Sequence, residues 1–409
     1  MLKTPSPRQV YRLVEQSVSH INQQVGASRR TSLRTLLALP LILQIIGLAW
    51  VIGELTTRNS RNTVTDLAHQ LMDETSDRIH QRIDRYLAVP HRLNIMNATA
   101  IELGILNIQD LDRMGIFFWK QMQSFGMDYV AFGYPNGEFI GAGELRDGTT
   151  VIDEMSYRRT GGDLQVFSTT PEGDRVALID VLEDWDHRTE ASYSDVVRAG
   201  EATWSQIYAW QDDSETLAIS AGRPVFDDAG LLLGVLTIDR KLEDLSLFLS
   251  QLSIGHQGRA FLLERNGRLV ASSVPMSHLT GRDRSSRSDR AMAHPDPLIR
   301  DTVAHLQSEF DNFRQIQTSA QFSFQRNGDR KLVHIEPFQD EYGLDWLIVI
   351  AIPEDDFMGQ VNESTRLTLA LMFLAIAIAL VVSLLLARWL VRPILKTIYA
   401  VDSLSRGNW

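Results

Sequence analysis

The chain contains no cysteine in 409 residues. That excludes disulfides, thiol nucleophiles and cysteine-based metal sites outright, and it suits a domain facing an oxidising compartment. Positive charge is also in short supply. Lys and Arg number 40 against 51 Asp and Glu, a formal net charge of −11. Nucleic acid needs a basic surface, so it is not an expected partner. The short catalytic signatures are missing as well. There is no G-x-x-x-x-G-K phosphate loop, no H-E-x-x-H zinc pair and no G-x-S-x-G elbow. The ten histidines make no pair at ligand spacing within one predicted helix. His187, His256, His294 and His334 read as surface or hydrogen-bonded residues. The expectation is no catalytic residue, no metal and no cofactor in the residues present, although catalytic groups far apart in sequence leave no such trace.

What the chain does have is two long apolar runs. Residues 367–387 carry no charge, and their only polar side chains are the hydroxyls of Thr368 and Ser383. At a rise of ~1.5 Å per residue the run matches the hydrocarbon core of a bilayer. A buried core helix is the competing reading, and uninterrupted length favours the membrane. Residues 36–53 form the other run, with Gln44 its one strongly polar residue. A cleavable signal peptide competes here, but its charged leader would be unusually long and no small-x-small site follows. Pro40 either kinks this helix or sits in its first turn. Arg29, Arg30 and Arg34 flank the first run, and Arg388, Arg392 and Lys396 follow the second. Both sets belong on the cytoplasmic side, which leaves residues 57–365 outside.

A chain of this length holds two or three domains. In residues 64–87, Val64, Leu67, Leu71, Ile79, Ile83 and Leu87 recur mostly at threes and fours, so the spacing predicts a helix that Pro90 ends. A second helix is expected over residues 111–125, with Phe117, Phe118 and Trp119 as a bulky face. Strands begin near Asp128. Residues 129–134 and 138–141 flank Pro135-Asn136-Gly137, and residues 260–264 and 268–271 flank Asn266-Gly267. Two strand–turn–strand phrases this far apart point to two copies of one module. Further hairpins join 217–226 to 231–239 and 321–325 to 331–337, and a last strand covers 346–352. Residues 242–252 read as a short amphipathic helix, and 281–290 as a solvated polar loop.

The binding signal lies in residues 185–239, dense in aromatic and charged side chains: Trp185, Asp186, Arg188, Tyr193, Trp204, Tyr208, Trp210, Asp212, Asp213 and Asp239. Flat apolar walls with a few fixed charges suit a small polar ligand. Aromatic faces beside a carboxylate suit an ammonium group, and Arg188 has the fork for a carboxylate. Each residue also has a plainer reading. Trp204 and Tyr208 fit packing roles, and Trp210, Asp212 and Asp213 fit a solvent-exposed strand end. Trp185, Asp186 and Arg188 fit a loop with an internal ion pair. Asp239 ends an apolar strand, where a carboxylate is costly unless paired.

The phrases at 230–273 (GLLLGVLTIDRKLEDLSLFLSQLSIGHQGRAFLLERNGRLVASS) and 343–358 (GLDWLIVIAIPEDDFM) resemble the double Cache sensor domain of bacterial transmembrane receptors. The resemblance implies an α+β fold: two PAS-like antiparallel-sheet modules hung on a long N-terminal helix and flanked by two transmembrane helices. The expected layout is a cytoplasmic segment 1–33, a first membrane helix 34–56, an extracytoplasmic domain 57–365 and a second membrane helix 366–387. Within the domain, a membrane-distal module covers about 90–240 and a membrane-proximal one about 255–357. Residues 388–409 resemble the first helix of a HAMP linker, with Pro393 after the basic exit and Ile394, Ile398 and Val401 on one seam. The chain stops at Trp409, where such a linker is half built, so an output domain is expected beyond it, a histidine kinase or nucleotide cyclase. The HAMP resemblance also implies a homodimer, and the localisation implied is the bacterial inner membrane.

Double Cache sensors of amino acids carry an Asp-x-Arg, an Arg-x-Trp-Tyr run and a later closing Asp. Asp186 and Arg188 match the first, Tyr193 the final Tyr and Asp239 the closing Asp. Glu190 and Ser192 stand where the Arg and Trp would be, which removes the cation that holds an α-carboxylate. The ligand-binding residues expected are Trp185, Asp186, Arg188, Tyr193, Tyr208 and Asp239. The ligand expected is an amine, an amino-acid-like compound or another polar metabolite, and the lipid bilayer is the other partner. The rival classes are a membrane-anchored extracytoplasmic enzyme and an adaptor without ligand sensing.

Overall fold

Helix α1 (Leu33–Glu102) runs for 70 residues without interruption. The computed structural model describes residues 33–210, 216–274, 291–310, 313–326, 328–357, 370–383, 385 and 389. Contacts divide the chain into two units: residues 1–63 with 359–409, and Val64–Met358. In the first unit residues 33–63 and 370–383 are helical. Among the described residues no helix is long and apolar enough to cross a membrane. Part of each apolar run falls outside that description: the side chains at 36–39 and 41–42, and residues 367–369, 384 and 386–387. The basic flanks Arg29, Arg30, Arg388, Arg392 and Lys396 lie outside the described residues. So do Pro393, Ile394, Ile398 and Val401 of the expected linker helix, and the loop at 281–290.

In the second unit α1 buries Val64, Ala68, Met72, Ile79, Ile83, Tyr86 and Leu87, while Leu67 is exposed. Val64, Ile79, Ile83 and Leu87 are thus buried as expected, and between them Ala68 and Met72 take the buried positions expected of Leu67 and Leu71. The helix also passes through Pro90, where an end was expected. Tertiary contacts outweigh the lost backbone bond. His91 stacks on Tyr342 with centroids 3.6 Å apart, Asn94 Nδ2 donates to the Ala221 carbonyl at 2.7 Å, and Leu93 is buried. Helix α2 (Leu111–Phe125) has the expected span. The Asp110 side chain accepts from Arg113 N at one end, and Gly126 at φ 60° closes the other, the left-handed cap that glycine adopts without strain. Phe118 and Trp119 are buried and Phe117 is partly exposed.

The two Asn-Gly phrases fold alike. Strands β1 (Tyr129–Gly133) and β2 (Phe139–Glu144) pair antiparallel, as do β10 (Arg259–Glu264) and β11 (Leu269–Ser272). In each turn the Asn Oδ1 accepts from the N–H two residues on, Glu138 or Arg268. The following Gly137 and Gly267 take φ 97° and 84°. The side chain of Asn and the missing Cβ of Gly thus build the same loop twice.

The first sheet also holds β3 (Thr150–Met155), β4 (Leu164–Thr169), β5 (Arg175–Leu182), β6 (Thr203–Trp204), β7 (Tyr208–Ala209), β8 (Leu217–Phe226) and β9 (Leu232–Lys241). Its order is β5-β4-β3-β2-β1-β9-β8-β6, with β7 also on β8. Strands β12 (Ala320–Arg326), β13 (Asp329–Gln339) and β14 (Asp345–Pro353) complete the second sheet, ordered β11-β10-β14-β13-β12. Both sheets centre the module's last strand between its opening hairpin and its penultimate strand, which is the repeat the turns announced. Among the described residues the unit also holds three short α-helices: α3 (Ala191–Ala199), α4 (Glu243–Ser250) and α5 (Pro297–Glu309).

Alternation along the strands decides what each face sees. Val130, Phe132, Ile140, Ile152, Leu236 and Ile238 pack in one core with Phe118 and Met122 of α2. Their neighbours Tyr129, Asp153, Thr237 and Asp239 face the other side. In the second sheet, Leu262, Leu332, Ile348 and Ile350 pack with Ile79 and Ile83 of α1, and Leu263, Val333 and Val349 pack with Ile299 and Val303 of α5. The sheets meet where Trp204 Nε1 donates to Asp340 Oδ2 at 2.5 Å. Trp204 is buried in the second module's core, its plainer reading.

Candidate functional site

The face of the first sheet turned away from α2 carries a cavity of about 120 Å³. Its position follows from register. Tyr129 on β1 lies opposite Asp239 on β9 and opposite Gly143 on β2, and Gly141 lies opposite Asp153 on β3. The Tyr129 ring crosses β2 and donates its hydroxyl to Asp153 Oδ2 at 2.5 Å. The crossing needs the glycines. A Cβ at Gly141 would sit 2.3 Å from the Tyr129 oxygen, and one at Gly143 2.2 Å from its Cδ2. Gly133 makes the same room for His187, whose Cδ2 would be 2.5 Å from an added Cβ.

Aromatic rings wall the cavity. Phe139 meets Trp185 edge-on at 5.0 Å and His187 at 5.4 Å, and Tyr129 meets Trp210 at 5.9 Å. The charged lining residues are Glu144, Asp153, Glu190 and Asp239, and no Lys or Arg is among the described lining residues. Lys241 sits beside the site, its Nζ 4.8 Å from the Trp210 ring and donating to the Glu144 carbonyl at 3.0 Å. Asp239 is 5% exposed and Asp153 8%. Asp239 Oδ2 accepts from Tyr208 at 2.6 Å and from Trp210 Nε1 at 3.1 Å. Burial nevertheless pushes its carboxyl up from 3.8 to about 6, because a desolvated charge is disfavoured. Burial also lowers His187 to about 4, so this lining imidazole is neutral near pH 7. Its Nε2 lies 3.1 Å from the Tyr134 carbonyl, which places the proton there.

Of the residues expected at the site, Trp185, Tyr208 and Asp239 line the cavity and Asp186, Arg188 and Tyr193 do not. Arg188 turns its fork onto its neighbour, with Nε and Nη2 each 2.8 Å from an Asp186 oxygen and Nη1 donating to the Pro135 carbonyl. That bond holds the Asp186 carboxyl below its usual range. Tyr193 packs edge-on against His187 at 4.9 Å and shares a small core with Val196 and Val235. Trp210 lines the cavity rather than solvent. Asp212 and Asp213 lie outside the described residues. Tyr129, Phe139, Asp153 and His187 were not anticipated. The glycines alternating in Gly141-Ala142-Gly143 were the available signal, since they mark where a large side chain crosses a strand. Among the described residues no group of His, Asp and Glu is placed to hold a metal ion.

The family model described as Cache domain matches residues 56–361. The chain belongs to the Cache domain family. Solved domains of bacterial chemoreceptors are similar to it at low identity. The sensory domain of the Campylobacter jejuni chemoreceptor Tlp3 (CcmL) is 14% identical, with a TM-score of 0.45 over 75% of this chain and 98% of that one. The ligand-binding domain of the Pseudomonas aeruginosa PAO1 amino acid chemoreceptor PctB, in complex with L-Arg, is 16% identical, with a TM-score of 0.44 over 72% and 97%. That of PctC from the same organism, in complex with GABA, is 19% identical, with a TM-score of 0.44 over 69% and 97%. In this Cache domain the Asp-x-Arg is closed on itself, and the cavity beside it is acidic.

Proposed function

We propose that this Cache domain is the input half of a transmembrane receptor whose first module binds a small cationic ligand. One observation supports this above the rest: Asp239 is 5% exposed and faces the cavity between aromatic walls, with the neutral donors of Tyr208 and Trp210 on its Oδ2. A cation gains from buried carboxylates and ring faces together. The described lining holds no Lys or Arg to receive the carboxylate of a plain amino acid. The two apolar runs, with their basic flanks, support an inner-membrane setting with residues 57–365 outside. The linker-like tail supports a homodimer and an output domain such as a histidine kinase or cyclase, with no catalysis in the residues present.

The route inward begins at the cavity. Asp239 faces the ligand site, and the next residue, Arg240, faces the opposite side of β9. There its guanidinium lies 3.8 Å from the Tyr86 ring centroid of α1. A ligand that favours one position of β9 would thereby bias α1, provided it binds the two positions unequally. Calorimetry on the 409-residue chain in detergent micelles, with amine and amino-acid panels, tests the binding claim. Amines are expected to bind and plain amino acids not to. Tight binding of a plain amino acid that survives Arg188→Ala would overturn it.

A further inference from the structure

Strand β5 closes one end of the first sheet and pairs only with β4 among the described residues. It is held at both ends. At its start Arg175 Nη2 lies 2.7 Å from Glu154 Oε2, and Nη1 reaches Asp112. Gly173, just before it, lies so close to Trp119 that an added Cβ would meet the ring at 2.7 Å. At its close Leu182 packs against the small core of Phe139, Met155 and Leu164. Between these anchors the strand is bare. Val176 is 65% exposed, Leu178 49%, Ile179 46% and Val181 39%. Aliphatic side chains along an open strand edge are the arrangement that accepts a further strand.

Charge decides what kind of strand. Residues 170–186 hold six carboxylates, Glu172, Asp174, Asp180, Glu183, Asp184 and Asp186, and one base, Arg175. Arg175 is already engaged by Glu154 and Asp112, and Asp186 by Arg188. The other five acids are exposed. A second copy of this strand is a poor occupant. Paired antiparallel about Leu178 and Ile179, it would set Asp174 opposite Glu183 of the second copy at both ends, and like charges directly opposite are destabilising. Val176 and Ile179 also have no counterpart on β4. Such bulges bend an edge and keep long flat strands from stacking on it. The same acids repel an anionic lipid surface and nucleic acid. The edge fits a short, extended, basic segment.

We propose that β5 is a docking edge for a partner protein that presents a short extended segment of alternating basic and aliphatic residues. The segment would add to the sheet as a strand outside β5. Its backbone would bond to that of β5, and its aliphatic side chains would cover Val176, Leu178, Ile179 and Val181. Its ammonium or guanidinium groups would meet Asp174, Asp180 and Glu183. The bulges limit the paired stretch to about five or six residues. Leu182 and Trp185, where the strand ends, line the ligand cavity, so a partner seated here would border the first module's binding site. Docking here does not depend on what the cavity binds.

The test is fluorescence anisotropy on the 409-residue chain in a nonionic detergent, with labelled peptides of about eight residues as probes and empty micelles as the blank. One peptide alternates Lys with Val, and another alternates Glu with Val. A third repeats the Lys–Val sequence with every second amide N-methylated. The plain Lys–Val peptide is expected to bind at least ~10-fold more tightly than either of the others, lost charge contacts or lost backbone bonds each being worth about that factor. Added salt should weaken it. Asp180→Lys with Glu183→Lys, both at exposed positions, is expected to lower its affinity by a similar factor, with thermal melting confirming the fold. If that variant does not fold, the three peptides on the unaltered chain make the comparison. Equal binding of the N-methylated peptide would reduce the edge to a charged patch and overturn strand docking. So would undiminished affinity in the folded variant, or no binding of the Lys–Val peptide. A dimer of the unaltered chain that the same variant changes, with no peptide bound, would assign the edge to a second copy instead.

Discussion

Tyr208 and Trp210 both donate to one oxygen of Asp239, at 2.6 and 3.1 Å, and the carboxyl still sits near 6 rather than 3.8. Two neutral donors reduce the cost of a buried charge without balancing it. A residue held in this condition gains most when a cation arrives, which makes Asp239 the residue to test by pH.

Amine affinity is expected to fall as pH drops through about 6, because protonated Asp239 offers the ligand no charge. Folding stability runs the opposite way. The folded value lies above the unfolded one, so the native state binds more protons between them. The contribution of Asp239 is complete below about 4 and is lost as pH rises through about 6. A shift of about two units is worth on the order of 3 kcal/mol. Asp239→Asn should therefore melt higher than the wild type at pH 7 and match it near pH 4. A pH-independent amine affinity measured by calorimetry would show that Asp239 does not meet the cation.

Gly143→Ala should move Tyr129. The added methyl would lie 2.2 Å from the ring, and Phe139 and Trp210 already border that ring on other sides. Overpacking of this kind costs about 1–3 kcal/mol. Ligand affinity is expected to fall by roughly tenfold or more as the Tyr129–Asp153 bond breaks. Tyr129→Phe in the Gly143→Ala background should add little further loss, since the bond is already gone. Independent, additive losses in that double-mutant cycle would refute the link.

Arg240→Met separates the cavity's coupling from its chemistry. Arg240 pairs with Asp128 at 3.0 Å, and both side chains are largely buried. Removing one partner leaves the other charge buried, a loss of about 3–5 kcal/mol. Burial already raises the Asp128 carboxyl, so part of the loss should be recovered by Asp128→Asn in the same chain. Denaturant unfolding of the single and double variants decides this. Ligand affinity should change less than stability, because Arg240 faces away from the cavity.

The parts of this fold that could be read from sequence are those fixed by local chemistry. Asn136-Gly137 and Asn266-Gly267 specify their turns by one side chain and one missing Cβ, whatever surrounds them. Asp239 was legible because a carboxylate at the end of an apolar strand demands a reason. What could not be read depends on partners distant in the chain. Strand β3 carries Asp153 and Glu154 side by side. Glu154 is tolerated because Arg175 and Arg159 reach it at 2.7 and 3.0 Å from elsewhere, and Asp153 because Tyr129 crosses a strand to it. Strand β5 exposes Val176, Leu178, Ile179 and Val181, so it shows no inside-outside alternation. Proline at position 90 reads as a helix end until the buried contacts of His91 and Asn94 are known. Arg188 reads as a ligand clamp until its fork is seen closed on Asp186.

A last prediction concerns the joint between α1 and the second sheet. Ser76 Oγ donates to Glu336 Oε2 at 2.5 Å, His80 Nδ1 lies 3.0 Å from Oε1, and His334 Nε2 lies 3.6 Å from Oε2. Asp73 completes the group, 3.2 Å from His334 Nδ1, and Gln321 of β12 donates to the same Asp73 oxygen at 2.5 Å. The nearby His334, then Ser76 and His80, hold the Glu336 carboxyl down from 4.5 to about 2. A depressed acid stabilises the fold above its unfolded value and loses that contribution as pH falls through the folded one. Glu336→Gln should therefore cost about 1 kcal/mol at pH 7, a modest figure because the group is partly open to solvent. The difference from wild type should shrink between pH 4.5 and about 2. Because Glu336 ties the α1 face at Ser76 and His80 to β13, the same variant should raise hydrogen exchange at amides of α1 near these residues and leave those of α2 unchanged. A stability gap of the same size at pH 2 and pH 7 would mean that the carboxylate charge has no part in holding the helix.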